Sequence, residues 1–254
     1  MLDVDKILVN FPKTRLPLPK EFQNIFAKEY LDNREGNNFA SSVAVTLEKW
    51  MHRQIAKEPA GFPLLEIGGG TLNHTRFEGE TGDYDVIEPF ADLYANSDMK
   101  TRISNFYNDI DQVPDDKKYI RIVSSAVLEH VLNLPEVIAN SALLLEENGE
   151  FRAGIPTEGG LLWYLAWRFG TGLSFRLRHG LSYKVFMENE HVNNAKEIET
   201  IIKHFFGEVS VSRYPLPLFH GSFYSFINAK QPKKDIALKY IEGIKRNRNG
   251  SGEL

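Results

Sequence analysis

Hydrophobic residues recur along this chain at two different periods. Between Lys20 and Leu31, Phe22, Ile25, Phe26 and Tyr30 fall at i, i+3, i+4 and i+8, which predicts a helix with one buried face. Asn33 to Gly36 breaks that pattern. It returns from Ala40 to Ala56 in Val43, Leu47, Trp50, Met51 and Ile55, so two helices are expected before residue 60. Short apolar runs then take over. Leu64–Ile67 is stopped by Gly68-Gly69-Gly70, and Tyr84–Ile87 by Glu88-Pro89. Ile120–Val123 follows, then Phe151–Ile155, stopped by Pro156. Runs of this length bounded by Gly, Pro or Ser predict buried strands.

Between the third and fourth runs, Pro135 opens a helix whose stripe is Val137, Ile138, Ser141, Leu144 and Leu145, with Asn148-Gly149 as its end. Strands alternating with helices imply a parallel sheet with right-handed crossovers. Ala195 to Phe206 is helical again, with Ile198, Ile201, Ile202, Phe205 and Phe206 inward. Glu208–Tyr214 and Ser222–Asn228 read as a terminal antiparallel pair. Ile236, Leu238, Ile241 and Ile244 predict a last short helix, with Lys245 to Leu254 frayed. Residues 159–187 stand apart. Trp163, Tyr164, Trp167, Phe169, Phe175, Tyr183 and Phe186 alternate there with Arg168, Arg176, Arg178, His179 and Lys184. The expected organisation is a helical extension over 1–60, an α/β domain over 61–230 carrying a cap at 159–187, and a C-terminal helix and tail over 231–254.

Composition narrows the function. With 30 Lys and Arg against 34 Asp and Glu the net charge is −4, which argues against a nucleic-acid partner. No cysteine is present, which removes disulfides, thiolate zinc sites and cysteine nucleophiles. No His-Glu-x-x-His helix occurs either, and no metal is expected. The longest apolar run, Leu161–Trp167, is far below the roughly 20 residues that span a bilayer. No integral membrane segment is therefore expected, although peripheral contact stays open. Residues 1–15 lack a continuous apolar core, which argues against a secretory signal and for a cytoplasmic location.

Candidate chemistry gathers at the ends of the predicted strands. The Gly68-Gly69-Gly70 turn lets the backbone approach a ligand beyond the first strand, the usual ligand edge of an open α/β sheet. Glu88 ends the second strand, 18 residues after Gly70, where a carboxylate can accept both hydroxyls of a ribose. Asn73 stands where a G-x-G-x-x-G dinucleotide turn has its last glycine, which argues against NAD. Asp109 and Asp111 precede the Ile120 strand. Ser124 to Val131 is a break from strand into helix that carries Glu129 and His130.

Taken in order, Glu66-Ile-Gly-Gly-Gly70, Val86-Ile-Glu-Pro89, Asp109–Pro114, Ser124-Ser-Ala-Val-Leu-Glu-His-Val131 and Glu147–Pro156 resemble the class I S-adenosylmethionine-dependent methyltransferases, in their small-molecule branch. The resemblance covers about residues 60 to 230. It implies a Rossmann-like sheet of seven strands, mostly parallel with the last antiparallel, and S-adenosylmethionine as cofactor. It places Glu66 and the Gly68, Gly69 and Gly70 turn beside the methionine part of the cofactor and Glu88 on the ribose. Asp109 would face the adenine amine, Ile110 would pack on the ring, and Ser124 and Ser125 would approach the sulfonium. The chain departs from the family at Leu72, where a third glycine is usual, and at Ile120-Arg121, where an acidic residue often opens the fourth strand. Residues 71–83 are also short for the usual first helix. The tetrad of adenine-specific DNA methyltransferases is replaced by Ser124-Ser-Ala-Val127.

Methyl transfer often needs a base, and histidine titrates near neutral pH. His130 and His191 are the candidates, with His74 behind them. The cap is the expected acceptor site. Trp163 and Tyr164 would supply walls, and Arg168, Arg176 and Arg178 would hold an anionic group. Tyr30 and Arg34 are the polar residues expected on the cofactor side. The expected activity is methyl transfer to a small or conjugated acceptor, such as a nucleotide- or lipid-linked sugar, at oxygen. A non-catalytic S-adenosylmethionine- or nucleotide-binding module and an NAD-dependent oxidoreductase are the alternatives. Nothing in the sequence sets the oligomeric state.

Overall fold

A computed structural model of the chain describes residues 3–15, 17–22, 25, 39–57, 61–79, 82–169 and 171–250. The readings at Phe26, Tyr30 and Arg34, and those on the side chains of Val43, Trp167, Phe169 and Phe186, lie outside the described residues.

Seven strands form one sheet in the order β3-β2-β1-β4-β5-β7-β6. They are β1 (Leu64–Ile67), β2 (Tyr84–Ile87), β3 (Asn105–Tyr107), β4 (Tyr119–Ser125), β5 (Leu145–Pro156), β6 (Phe206–Pro215) and β7 (Ser222–Pro232). β1 to β5 run parallel, and β7 runs against both of its neighbours. Every residue of β1 and β2 is buried, as expected for parallel strands covered on both faces. Alternation sorts their side chains: Leu65 and Ile67 enter the larger core, Leu64 the smaller one.

The larger core is closed by α4 (Leu134–Leu144), α8 (Ala195–Phe205) and α9 (Lys234–Gly250). α1 (Val4–Leu8) adds Ile7 to it. The smaller core is closed by α2 (Phe39–Ile55) through Met51 and Ile55. A one-turn helix, α3 (Ala91–Tyr94), follows β2. Pro135 sits in the first turn of α4, and Asn194 with Glu197 forms a capping box on α8. The cap region folds as α5 (Leu161–Phe169), α6 (Thr171–His179) and α7 (Lys184–Glu190), so its last helix runs past Met187.

Several expectations change. α4 stops at Leu144 rather than at Asn148-Gly149, because Leu145 turns extended and pairs with Tyr119. Leu144 and Leu145 are both buried, so hydrophobicity alone does not mark the junction. β3 has three partly exposed residues at the sheet edge and leaves no apolar run to read. α9 is 17 residues long and buries Ala237 and Ile241, while Ile236 and Leu238 face outward. The expected fraying from Lys245 is absent up to Gly250. Arg248 lies 2.7 Å from Glu136 and ties the last turn to α4. Between β1 and β2, the described residues form a single 3-10 turn, at His74–Phe77.

Candidate active site

The strand order reverses between β1 and β4, and an open α/β sheet has its ligand crevice at the carboxyl ends of the strands flanking such a reversal. On its β1 side, Gly68 has φ +75°, and a Cβ there would lie 2.3 Å from Val127 Cγ2. Gly70, at φ +52°, faces open space, so its backbone is the approachable part of the turn. Leu72, where a glycine is usual, takes φ 65° and buries its side chain in the smaller core. Burial worth roughly 1.5–3 kcal/mol offsets a left-handed cost of roughly 1–2 kcal/mol.

Glu88 holds this turn together. Its Oε2 accepts the Gly70 N–H at 2.7 Å and its Oε1 accepts the Phe90 N–H at 3.0 Å. A carboxylate offers about four lone-pair positions, so each oxygen keeps one for a ligand hydroxyl. Glu66 is buried on β1 and accepts the Tyr84 hydroxyl at 2.7 Å. Burial, helped by the Glu78 and Glu88 charges and opposed by Tyr84, pushes its carboxyl up to about 8. Asp109 is exposed and caps the turn at Ile110–Gln112. Ile110 is packed into the larger core.

On the β4 side the polar groups are unpaired. Ser124 Oγ, Ser125 Oγ and Glu129 Oε2 are buried with no hydrogen-bond partner among the described residues. Burial also raises the Glu129 carboxyl. Such orphans are uncommon in native interiors and call for an explanation.

Two histidines 61 positions apart meet beside these groups. The His130 and His191 rings contact edge to face with centroids 4.7 Å apart. His130 Nδ1 lies 2.9 Å from the Glu190 carbonyl, which can only accept, so Nδ1 carries a proton, while Nε2 lies 4.0 Å from Glu129 Oε1, beyond hydrogen-bond distance. His191 Nδ1 contacts the Glu158 carboxylate, which assigns its tautomer in the same way. Burial first, then His130 and Arg15, pulls His191 down to about 3 and holds the ring neutral. Arg15 also donates to the His130 carbonyl at 3.0 Å. Sequence reasoning missed Glu158 and Arg15. The available signal for Glu158 was its place two residues beyond the end of β5, at the ligand edge.

Two grooves open in this region. One, of about 430 Å³, is lined by Asn10, Lys13, Thr14, Glu188 and His191 itself. The other, about 290 Å³, is lined by Trp163, Tyr164, Leu161 and His220. The Trp163 ring lies 6.4 Å from His191, so the predicted aromatic wall and the predicted base share a region. The arginines do not converge. Arg168 donates to Tyr164 Oη at 3.0 Å on α5, whereas Arg176 and Arg178 stand two positions apart on α6 and point to different sides.

His74 belongs elsewhere, contrary to expectation. It is fully buried, with Nδ1 3.0 Å from His52 Nδ1 and Nε2 2.7 Å from Glu78 Oε1. Desolvation lowers its proton affinity, so it accepts from His52 and donates to Glu78. Glu78 in turn pairs with the buried Arg121. This network fills the place of the missing first helix.

No protein-family profile and no curated sequence matches the chain. Solved structures do match in three dimensions. One is the N-methyltransferase NodS from Bradyrhizobium japonicum WM9 in complex with S-adenosyl-L-homocysteine. It is similar over 78% of this chain and 91% of that one, at 18% identity and a TM-score of 0.52. Another is the plantazolicin methyltransferase BpumL in complex with S-adenosyl-L-homocysteine, with 90% and 97% coverage, 11% identity and a TM-score of 0.55. The CurJ carbon methyltransferase matches 78% of this chain at 16% identity and a TM-score of 0.53, and the chain spans 59% of it. The chain therefore has the Rossmann-like fold of the class I S-adenosylmethionine-dependent methyltransferases.

Proposed function

We propose that this chain transfers a methyl group from S-adenosylmethionine to a small or conjugated acceptor, such as a nucleotide- or lipid-linked sugar, at oxygen. The observation that carries the reading is the set of unpaired buried polar atoms on Ser124, Ser125 and Glu129. They lie at the strand-order reversal opposite the Gly68–Gly70 turn. The structural neighbours solved with S-adenosyl-L-homocysteine support the same cofactor.

When bound, the cofactor supplies an electrophilic methyl on a sulfonium. Glu88 receives the ribose hydroxyls on its remaining lone pairs, and Asp109 receives the adenine amine. The Gly68, Gly69 and Gly70 backbone and Glu66 receive the methionine part. A cationic amine held there would favour the ionised form of the Glu66 carboxyl and offset the burial that raises it. Ser124 and Ser125 direct hydroxyls into the crevice. Ile110 serves the adenine side by packing beneath Asp109 in the core.

His130 takes the acceptor's proton on Nε2, with its tautomer set by the Glu190 carbonyl. His191, neutral and oriented by Glu158, accepts a hydrogen bond from the acceptor and positions it. Trp163 and Tyr164 form the acceptor wall in the cap, and of the three cap arginines Arg168 reaches that wall through Tyr164. A cysteine-free chain suits the reducing cytoplasm.

The test is calorimetric titration of S-adenosyl-L-homocysteine into wild type and Glu88→Ala. Micromolar binding that collapses in the variant supports the reading. A wild type that binds neither this ligand nor S-adenosylmethionine overturns it.

A further inference from the structure

Residues 159–187 contain four Lys and Arg and not one Asp or Glu, in a chain whose net charge is −4. The rest of the chain therefore carries −8, and the cap is a positively charged segment of an acidic chain. The same segment exposes hydrocarbon. On α5, Leu161, Tyr164, Leu165 and Arg168 fall at i, i+3, i+4 and i+7, and all four are exposed, Leu161 at 57%. This stripe faces away from the protein. On α6, Leu177 is 78% exposed between the exposed Arg176 and Arg178.

The surface continues onto the β6–β7 connection. α5 begins against the turn at Phe219–Gly221, since a Cβ on Gly160 would lie 2.7 Å from the Phe219 carbonyl oxygen. Leu216 and Leu218 on that connection are exposed at 52% and 66%. Leucines ringed by arginine, without a carboxylate in the segment, are costly in water and fit an interface that is apolar below and anionic at its surface.

We propose that α5, α6 and the β6–β7 connection dock this protein onto the surface of an anionic lipid bilayer. The leucines enter the headgroup boundary and Arg168, Arg176 and Arg178 meet lipid phosphates. Charge complementarity selects the anionic bilayer over a neutral one, and the exposed leucines select a bilayer over an acidic protein face. No helix among the described residues is long and apolar enough to cross a membrane, so the contact is peripheral. Tyr164 belongs both to the exposed stripe and to the 290 Å³ groove, so that groove opens on the docking face. An acceptor held in the bilayer would reach Trp163 from there, a consequence that rests on the methyl-transfer reading. The docking itself does not.

The experiment is co-sedimentation of the full chain with vesicles of phosphatidylcholine and of equimolar phosphatidylcholine and phosphatidylglycerol. Binding to the anionic vesicles alone, lost at 1 M salt where the Debye length is about 3 Å, is the expected result. Arg176→Gln with Arg178→Gln should weaken it about thirtyfold. Leu177→Glu should weaken it at least as much, with unfolding temperature unchanged because the residue is exposed. Wild type left in the supernatant, equal binding to both vesicles, or variants that bind like wild type would overturn the proposal. So would a wild-type dimer that Leu177→Glu converts to monomer without any vesicle binding, since a second copy would then own the surface. S-adenosyl-L-homocysteine titration on the same preparations separates failure of docking from failure of the cofactor reading.

Discussion

The two ends of β4 are built on opposite terms. Near its amino end, Arg121 is buried, and its guanidinium meets Glu78 and, at 3.3 Å, the Ile55 carbonyl. Arg152 on β5 reaches the same carbonyl at 2.9 Å and Glu150 at 2.8 Å. Both cations complete the C-terminal end of α2, where unsatisfied carbonyls concentrate negative partial charge. Only Arg121 Nε lacks a partner in this group. At the carboxyl end, the buried atoms Ser124 Oγ, Ser125 Oγ and Glu129 Oε2 lack hydrogen-bond partners among the described residues. A buried charge that is fully met contributes to holding the fold. A buried polar atom left unmet is a standing cost that a ligand can relieve. The departure from the family at Arg121 is thus a matter of structure, on the side of the sheet away from the ligand edge.

The sharpest way to break this contrast is at the amino end. Glu78→Gln strands the Arg121 charge and should cost about 3–5 kcal/mol in urea unfolding. A loss below about 1 kcal/mol would mean that Arg121 is not buried as an ion pair. Next comes Glu66. Its folded carboxyl keeps a proton up to about pH 8, whereas the unfolded chain releases it near 4.5. Stability should therefore fall as pH rises through that window, by up to about 1.4 kcal/mol per unit, and Glu66→Gln should flatten the slope. A wild-type profile already flat from pH 5 to 8 would refute the raised value.

The carboxyl end should respond in function more than in stability. With an acceptor in hand, His130→Asn should lower kcat by about a hundredfold or more while S-adenosyl-L-homocysteine affinity stays the same. Equal kcat in the variant would remove His130 as the base. Ser124→Ala is the mildest test. It should leave unfolding unchanged or slightly stabilised and weaken cofactor binding about threefold to tenfold, one hydrogen bond's worth. Lost stability in that variant would show that the hydroxyl has a partner and is no orphan.

The strands and the turn between them were legible because each is a local property. Leu64–Ile67 and Tyr84–Ile87 each carry one carboxylate among three hydrophobic residues and are soon followed by glycine or proline, and the structure begins and ends β1 and β2 on those same residues. β3 was not legible, since three edge residues bury too little to leave a pattern. The α4–β5 junction was hidden by continuous hydrophobicity. The stripe on α9 was misread because its buried face turns on the small residue Ala237.

The sequence by itself determined the order of the strands other than β3 and of the helices between them, the glycine turn with Glu88 beyond the next strand, and the acid-free cap. Periodicity, turn chemistry and charge act within a few residues of one another, so they can be read without a fold. Tertiary structure alone decided that His130 meets His191 and that His191 meets Glu158, that His74 turns inward to Glu78, and that Arg168 parts from Arg176 and Arg178. Those pairings join positions brought together by the packing of helices on the sheet. A residue's type states which contacts it can make, and only the packed chain selects among them.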